Sequence, residues 1–327
     1  MGDNRRLIRI ATFNLNNLAL PEVRTAVGEI SRADYLKKIG WIAGQLDELS
    51  PDIVGFQEVW HREALVEAAS LHGRFTEAEV FAPGENPRFP VVGLASKLPI
   101  LEVESIEDFP EEASIDIDGS RIPWNKFRRP VLKARLALTA QQTVTVFVLH
   151  LKSKRPDIQD NTESSDISRT IGQARSLVIR ACEAAAFRAV LLRTMTGNDE
   201  PVVVLGDLND ATHSVTSEMI MGTVPRNAPR EVRDSAFDEL LYSAVDFQTL
   251  RTHRDVYYTH KHEGHVEFLD HILVSQEFWH RNPRAIGRVR YMRVYNDHLV
   301  DKSLGEGSTP SWSSDHGQVL VGVELFN

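Results

Sequence analysis

The chain is expected to fold as a mixed α/β sandwich of two packed sheets, and three features point there. Helical and strand-like stretches are interspersed along its length, and hairpins join some of the strands where helical crossovers join others. The 327 residues are 42% hydrophobic, enough to bury a large core. A doubly wound parallel sheet would need crossovers almost throughout. No repeat, low-complexity tract or interdomain linker is visible, so residues 1–327 are read as a single domain.

The first strand is predicted over Arg5 to Leu15. Ala33 to Leu49 then places Tyr35, Leu36, Ile39, Ile42, Ala43, Leu46 and Leu49 at helical spacing, and Pro51 stops that helix. Asp52-Ile-Val-Gly-Phe-Gln-Glu58 reads as a strand and His61 to Leu71 as a second helix. Strands rich in β-branched residues follow over Val91 to Ala95, Ile100 to Ile106, Val131 to Leu138 and Thr143 to Leu149. Ser153 to Ile167 is polar, with Pro156, Asn161 and a Ser-Ser pair, and is expected to be an ordered-on-demand or mobile loop beside the site. Ser168 to Met195 is the longest helix signal, and Pro201 to Leu205 is a continuous apolar strand of the kind buried on both faces. Val256 to His262 and His265 to Ser275 read as strands joined at Glu263-Gly264, where glycine can take the positive φ of a tight turn. Gly317 to Leu325 is the last strand.

Composition narrows the setting. A single cysteine, Cys182, excludes an intrachain disulfide and a Cys-rich zinc site, and its place in a helical run marks it as packing. Met1-Gly-Asp-Asn-Arg-Arg passes straight into a strand without the apolar stretch of a signal peptide, so a cytoplasmic location is expected. Gly2 lacks the Ser or Thr four residues on that myristoylation requires, and no run of eighteen apolar residues predicts a membrane span. The formal charge of −9 argues against an extended nucleic-acid platform but leaves room for a local one. No protein partner is implied.

Six stretches end strand-like runs with metal-ligand or phosphate-handling side chains: Thr12-Phe13-Asn14, Gln57-Glu58, Leu149-His150, Gly206-Asp207-Leu208-Asn209, Leu269-Asp270-His271 and Ser314-Asp315-His316. Together they supply hard oxygen ligands for Mg²⁺ or Mn²⁺, imidazoles, and a carboxylate to orient one of them. That set suits metal-assisted hydrolysis of a phosphate ester. The two-residue period of a strand would put Asp207 and Asn209 on one side, with Gly206 leaving room for a ligand, although the same residues also begin ordinary loops. Asn14 and Glu58 emerge where buried strands leave the core, and Asn14 alone is as readily a turn-forming amide.

Three Asp-His dipeptides compete: Asp270-His271, Asp297-His298 and Asp315-His316. The last directly precedes the final strand and is preferred, with His316 the candidate partner for Asp270, whose carboxylate in an apolar run needs one. His260, His262 and His265 around the hairpin admit two readings, a borderline-soft metal site or an exposed polar tip. Arg121, Lys126, Arg128, Arg129, Lys133 and Arg135 form a run without acids, and Lys152, Lys154 and Arg155 follow His150. Arg128, Arg129, Lys152 and Lys154 are candidates for holding an anionic substrate, against the alternative of a solvated face.

In their order, these residues resemble the endonuclease/exonuclease/phosphatase superfamily of deoxyribonuclease I-like fold, from Thr12-Phe-Asn14 to Ser314-Asp-His316. The resemblance implies a four-layered α/β sandwich of mainly antiparallel sheets flanked by helices. It also implies Mg²⁺ or Mn²⁺, as one or two ions, bound by Glu58 with Asn14 and Asp315 close by. Asp207 and Asn209 would handle the attacking water and a phosphate oxygen, and Asp270 would orient His316. His150 stands where apurinic-site endonucleases place Tyr, and where deoxyribonuclease I-like, sphingomyelinase-like and inositol-phosphatase-like branches place His. Leu149-His-Leu-Lys-Ser-Lys-Arg-Pro156 is similar to a bacterial branch.

The leading expectation is a metal-dependent phosphodiesterase, with a nuclease among its forms. Next come a phosphomonoesterase acting on a sugar or inositol phosphate and an inactive scaffold of the same fold. A serine hydrolase is set aside because no Gly-x-Ser-x-Gly elbow occurs.

Overall fold

The computed structural model describes the chain apart from residues 1–5, 26–27, 77, 84–88, 159–164, 225–226, 254 and 327. Two six-stranded sheets carry it. In spatial order the first comprises Gly287–Tyr295, Gln318–Leu325, Leu7–Leu18, Ile53–Val59, Val91–Ser96 and Glu79–Phe81. The second comprises Leu241–Ser243, Asp270–Ser275, Val202–Asp207, Thr143–His150, Lys126–Ala137 and Ile100–Asp108. Each sheet has one central parallel pair, Leu7–Leu18 with Ile53–Val59 and Thr143–His150 with Val202–Asp207. Every other pairing is antiparallel.

Alternation along the strands sorts their side chains into layers. Ile10, Ile53, Leu94, Val146, Val203, Leu205, Ile272 and Val321 fill the space between the sheets. Phe13, Val54 and Phe56 face outward onto helices α1 (Arg32–Leu49) and α2 (Arg62–Ser70) through Ile39, Ile42, Leu46 and Leu65. Phe147, Leu149 and Val204 face the long helix α3 (Asp166–Met195) through Ala184, Phe187 and Leu191, and the rings of Phe147 and Phe187 meet edge to face 5.4 Å apart. Helix, sheet, sheet and helix therefore form four layers. Fully burying each large side chain contributes roughly 1.5–3 kcal/mol, so the core is ample for both sheets.

The ends of α1 follow from local chemistry. Ser31 accepts the backbone N–H of Asp34 as N-cap, and Ser50 takes the left-handed conformation at φ 50° just before Pro51. Glu263 and Gly264, at φ 48° and 77°, turn the hairpin His260–His262/His265–Glu267 as expected. That hairpin is shorter than predicted, because the chain then leaves it and Asp270–Ser275 joins the second sheet. Part of the loop expected over Ser153 to Ile167, residues 159–164, lies outside the described residues. The strand Gly287–Tyr295 was not anticipated, although Val289 and Met292 are buried between arginines on an edge strand.

Gly206 has a different reason from the one expected. A Cβ there would sit 2.0 Å from the carbonyl oxygen of Leu149 on the neighbouring strand, so the glycine serves strand packing rather than approach of a ligand. Gly206→Ala should therefore destabilise the fold by several kcal/mol through a backbone clash that no rotamer relieves. An unfolding free energy within about 0.5 kcal/mol of wild type in denaturant titration would contradict this assignment of the glycine.

Candidate active site at the junction of the two sheets

Strand register assembles the polar residues. His150 is paired with Asp207, and Asp207 with Asp270, in one row across three adjacent strands. Cross-strand partners share a face, here the inner one that the adjacent inward row Val148, Leu205 and Ile272 also occupies. The first sheet meets this row with Asn14, at the end of its inner face, and with His316, just before its last strand.

Asp207 is the centre, with 1% of its surface exposed. His150 Nε2 lies 3.3 Å from its Oδ2, Asn14 Nδ2 donates to the same oxygen at 3.2 Å, and the Asn209 N–H donates to Oδ1 at 2.8 Å. His316 Nε2 is 3.9 Å away. Burial opposes charge on Asp207, yet His316, His150 and the Asn209 N–H together hold its carboxyl below the usual range. Asp270 accepts from His316 Nδ1 at 2.8 Å, and its other oxygen has no partner. Burial raises the Asp270 carboxyl. It also opposes charge on His316, but Asp270 and Asp207 keep that imidazole protonated well above its ordinary value.

Glu58 and Asp315 stand apart from this row. Glu58 sits at φ 62° where the pairing of Ile53–Val59 with both neighbours shifts register, and its carboxylate accepts from Asn17 Nδ2 at 2.8 Å. A left-handed non-glycine persists only where its surroundings over-determine it. Behind both carboxylates lies Lys38 of α1, fully buried, its ammonium donating to the carbonyls of Asn16 at 2.8 Å and Ser311 at 3.3 Å. Burial lowers it to about 8 against the pull of Asp315 and Glu58. The sequence held a signal for Lys38, which shares the helical stripe of Tyr35, Ile39 and Ile42. Asn17, in the Asn-rich end of its strand, was likewise passed over.

The three Asp-His dipeptides separate cleanly. Asp315-His316 lies at the sheet junction. Asp270 faces inward whereas His271 faces outward, its Nε2–H donating to the Asp210 carbonyl at 2.9 Å. His298 donates to the His316 carbonyl at 2.9 Å and packs edge to face on Trp41. Asn209 leaves the strand at φ 53° and donates its carboxamide to the Leu151 carbonyl at 3.0 Å, so it acts on Asp207 through its backbone.

Each of the four basic candidates is already engaged by partners within the chain, and Arg129 shares the Leu151 carbonyl with Asn209. Arg128 binds Asp157 at 2.6 Å and stacks over Trp124, while Arg129 donates to the Leu151 carbonyl at 3.3 Å. Lys152 caps the Ser153 and Arg155 carbonyls, and Lys154 pairs with Glu267. In the same run Lys126 and Lys133 meet Asp108 and Glu104 of the adjoining strand, because cross-strand neighbours supply the acids that the run lacks. Buried Glu183 of α3 accepts the N–H groups of Arg128 and Lys152 at 2.9 and 2.7 Å, anchoring both segments. A cavity of about 680 Å³ lined by Glu102, Lys133, Arg135, Thr145 and Glu200 lies elsewhere. Thr145 is five residues before His150 on one strand, roughly 16 Å at the usual rise.

For a divalent cation the donor set fits. Glu58, Asp315 and Asn14 offer oxygens, and Asp270 leaves one buried oxygen unpaired. Two Asp/His groups among the described residues, Asp207–Asp270–His316 and His260–Asp315–His316, bring ligand atoms within 4.8 Å of one another.

Two sheets meeting over buried carboxylates, each covered by helices on its outer side, place the chain in the four-layered α/β class. Residues 11–316 match the endonuclease/exonuclease/phosphatase family, and the chain belongs to it. That family acts on phosphate esters, nucleic acids among them, and is generally dependent on a divalent metal. No curated protein matches the sequence.

Similar solved structures include an endonuclease/exonuclease/phosphatase family protein from Bacteroides thetaiotaomicron (14% identity, 99% of this chain and 97% of that one, TM-score 0.57). The mannosyl-6-phosphatase of the same organism is similar too (14%, 97% and 99%, 0.57). So is TDP2 of D. rerio complexed with single strand DNA product (15%, 97% and 98%, 0.55). Among the described residues no helix is long and apolar enough to cross a membrane.

His271 generates a pH prediction. Burial lowers it to about 4 from 6.5, so the unfolded chain takes up its proton at a higher pH than the folded one. This contribution to stability is complete above about pH 6.5 and is lost as pH falls toward about 4. His271→Gln keeps a donor for the Asp210 carbonyl but cannot titrate. Between pH 7 and 5, wild type should lose roughly 2 kcal/mol more than the variant in urea unfolding. Equal losses would refute a neutral buried His271.

Proposed function

We propose that the chain is a metal-dependent phosphodiesterase that cleaves its substrate by in-line attack of water, with nucleic acid a candidate substrate. The observation that carries this reading is the approach, across the two sheets, of Asp207 and the Asp270-bound His316, whose Nε2 lies 3.9 Å from the Asp207 carboxylate. Asp207 is the residue we assign to aligning the water for its in-line attack. His316, locked by Asp270 at Nδ1, donates from Nε2 to a phosphoryl oxygen as charge grows there. His150 is buried with Nε2 on Asp207, so it works through that carboxylate, and Asn14 and Asn209 fix the same carboxylate. Glu58, Asp315 and Asn14 would hold the divalent cation, which when bound supplies Lewis-acid polarisation and neutralises developing charge.

Charge balance favours a diester. Glu58, Asp207, Asp270 and Asp315 surround the site, while Lys38 and His316 are the cations facing them. A diester brings one negative charge into that field and a monoester dianion brings two, a difference that one divalent ion offsets less well. Arg129 and Lys152, whose side chains bond carbonyls where Arg128 and Lys154 meet carboxylates, would then act on a polymeric substrate as positive charge beside the site. The similar structures named for single strand DNA product and for a mannosyl phosphatase frame the choice, since one superfamily fold serves both.

Two experiments test the proposal. Chelation should abolish hydrolysis of bis(p-nitrophenyl) phosphate and Mg²⁺ or Mn²⁺ should restore it, with p-nitrophenyl phosphate turned over more slowly. Full activity in a metal-free sample would defeat the mechanism, and a reversed ester preference would point to the monoesterase. His316→Ala should reduce kcat at least about 10²-fold, and Asp270→Asn less, through lost orientation. A silent His316→Ala with a damaging His298→Ala would overturn the assignment.

A further inference from the structure

We propose that Asn17 determines which divalent ion the junction accepts, favouring Mg²⁺ over Ca²⁺ by occupying one oxygen of Glu58. The inference rests on reading Glu58 as a cation ligand of a hydrolytic centre. The Asn17 carboxamide, 6% exposed, bridges two side chains. Trp60 Nε1–H donates to its Oδ1 at 3.0 Å, and its Nδ2 donates to Glu58 Oε2 at 2.8 Å. An indole N–H can only donate, so the carboxamide oxygen must face Trp60 and the NH₂ group must face Glu58. The same Nδ2 also reaches Asn16 Oδ1 at 3.4 Å, which leaves the amide fully engaged.

Three strained residues converge on this contact. Asn16 and Asn17 are consecutive non-glycine residues at φ 47° and 61°, and Glu58 opposite them is at 62°. Each such conformation costs of order 1–3 kcal/mol and persists only where the surroundings impose it. The pairing of Leu7–Leu18 with Ile53–Val59 runs to Asn14 with Gln57 and resumes at Leu18 with Val59, so Leu15, Asn16 and Asn17 stand opposite Glu58 alone. The Trp60 backbone N–H closes this bulge on the Leu18 carbonyl at 2.8 Å. Backbone and side chain of Trp60 therefore hold both ends of the segment that aims Asn17 at Glu58.

The consequence falls on the carboxylate. Asn17 engages Oε2, and among the described residues nothing bonds Oε1. A carboxylate held in this way offers a cation a single oxygen. Mg²⁺ is small, demands near-octahedral geometry and keeps several waters, so one oxygen suits it. Ca²⁺ takes roughly six to eight oxygens and uses carboxylates in bidentate fashion as well. Asn17 withholds from Ca²⁺ the oxygen that would help to fill its larger shell, and Trp60 acts through Asn17 as a positioning residue.

Calorimetric titration of the full-length protein with Mg²⁺ or Ca²⁺ alone reads the preference without turnover. Wild type should bind Mg²⁺ the more tightly, and Glu58→Gln should weaken both ions. Asn17→Gly removes the carboxamide while tolerating the positive φ, and should shift the ratio of the two Kd values toward Ca²⁺ at least about tenfold. Trp60→Phe keeps an aromatic ring without the indole N–H, and should shift the ratio the same way by less. General loosening of the fold would weaken both ions alike and leave the ratio unchanged. The role of Asn17 is overturned by an unchanged ratio in Asn17→Gly, or in Trp60→Phe should the glycine variant not fold. It is equally overturned by a wild type that prefers Ca²⁺, or by ion binding indifferent to Glu58→Gln. Hydrolysis of bis(p-nitrophenyl) phosphate by wild type in Mg²⁺ is a separate readout. Turnover with an unchanged ratio defeats this role and leaves the phosphodiesterase reading, whereas a shifted ratio without turnover supports the role and defeats that reading.

Discussion

The buried carboxylate of Asp207 is the constraint on which the rest depends. Removing an ionised carboxylate from water is costly unless it is paired and hydrogen-bonded, and this one draws its partners from separate parts of the chain. His150 comes from the adjoining strand, the Asn209 N–H from its own turn, and Asn14 and His316 from the opposite sheet. The apolar layer between the sheets is tolerant of small shifts, as hydrophobic packing is non-directional. The contacts to Asp207 are directional, so they set the alignment of one sheet on the other at this end. The geometry proposed for catalysis and the docking of the sheets rest on the same set of bonds.

Electrostatics at the junction follow from that arrangement. Asp270 would be a second uncompensated buried anion without His316, and the imidazolium is held in place by both carboxylates at once. Lys38 plays the matching part behind Glu58 and Asp315. Its ammonium is spent on the carbonyls of Asn16 and Ser311, so it ties the two segments carrying Asn14 and Asp315 while its charge faces their acids. Even with both cations the junction carries excess negative charge. A divalent ion would offset that excess, so that an anionic substrate meets a field that no longer repels it.

The layered fold was largely legible in the sequence, and so were the residues that meet at the junction. Apolar periodicity identified the inner strands because each buries both faces, and Gly264 marked its turn through the positive φ it supplies. What escaped depends on tertiary partners. Lys38 looks like any helical lysine until the carbonyls it caps are known. The run from Lys126 to Arg135 looks like a basic platform until the acids of Ile100–Asp108 pair with it from the neighbouring strand. Gly206 was traced to a ligand when the crowding comes from Leu149. The edge strand Gly287–Tyr295 was missed because its arginines interrupt the apolar signal, a composition that suits a sheet edge.

The three Asp-His dipeptides show how little a motif says apart from its register. Asp270 and His271 are neighbours in sequence with opposite fates, because alternate residues of a strand face opposite sides. A slip of one residue in the pairing of Val202–Asp207 with Asp270–Ser275 would turn His271 toward Asp207 and Asp270 toward α3. The slip is blocked by apolar neighbours that obey the same parity, Ile272 and Val274 inward and Leu273 outward. Side chains with no part in the chemistry therefore decide which carboxylate meets His316. The hydrophobic pattern of one short strand selects which carboxylate–imidazole pair forms at the junction, and polar residues of the same type one step away become structure.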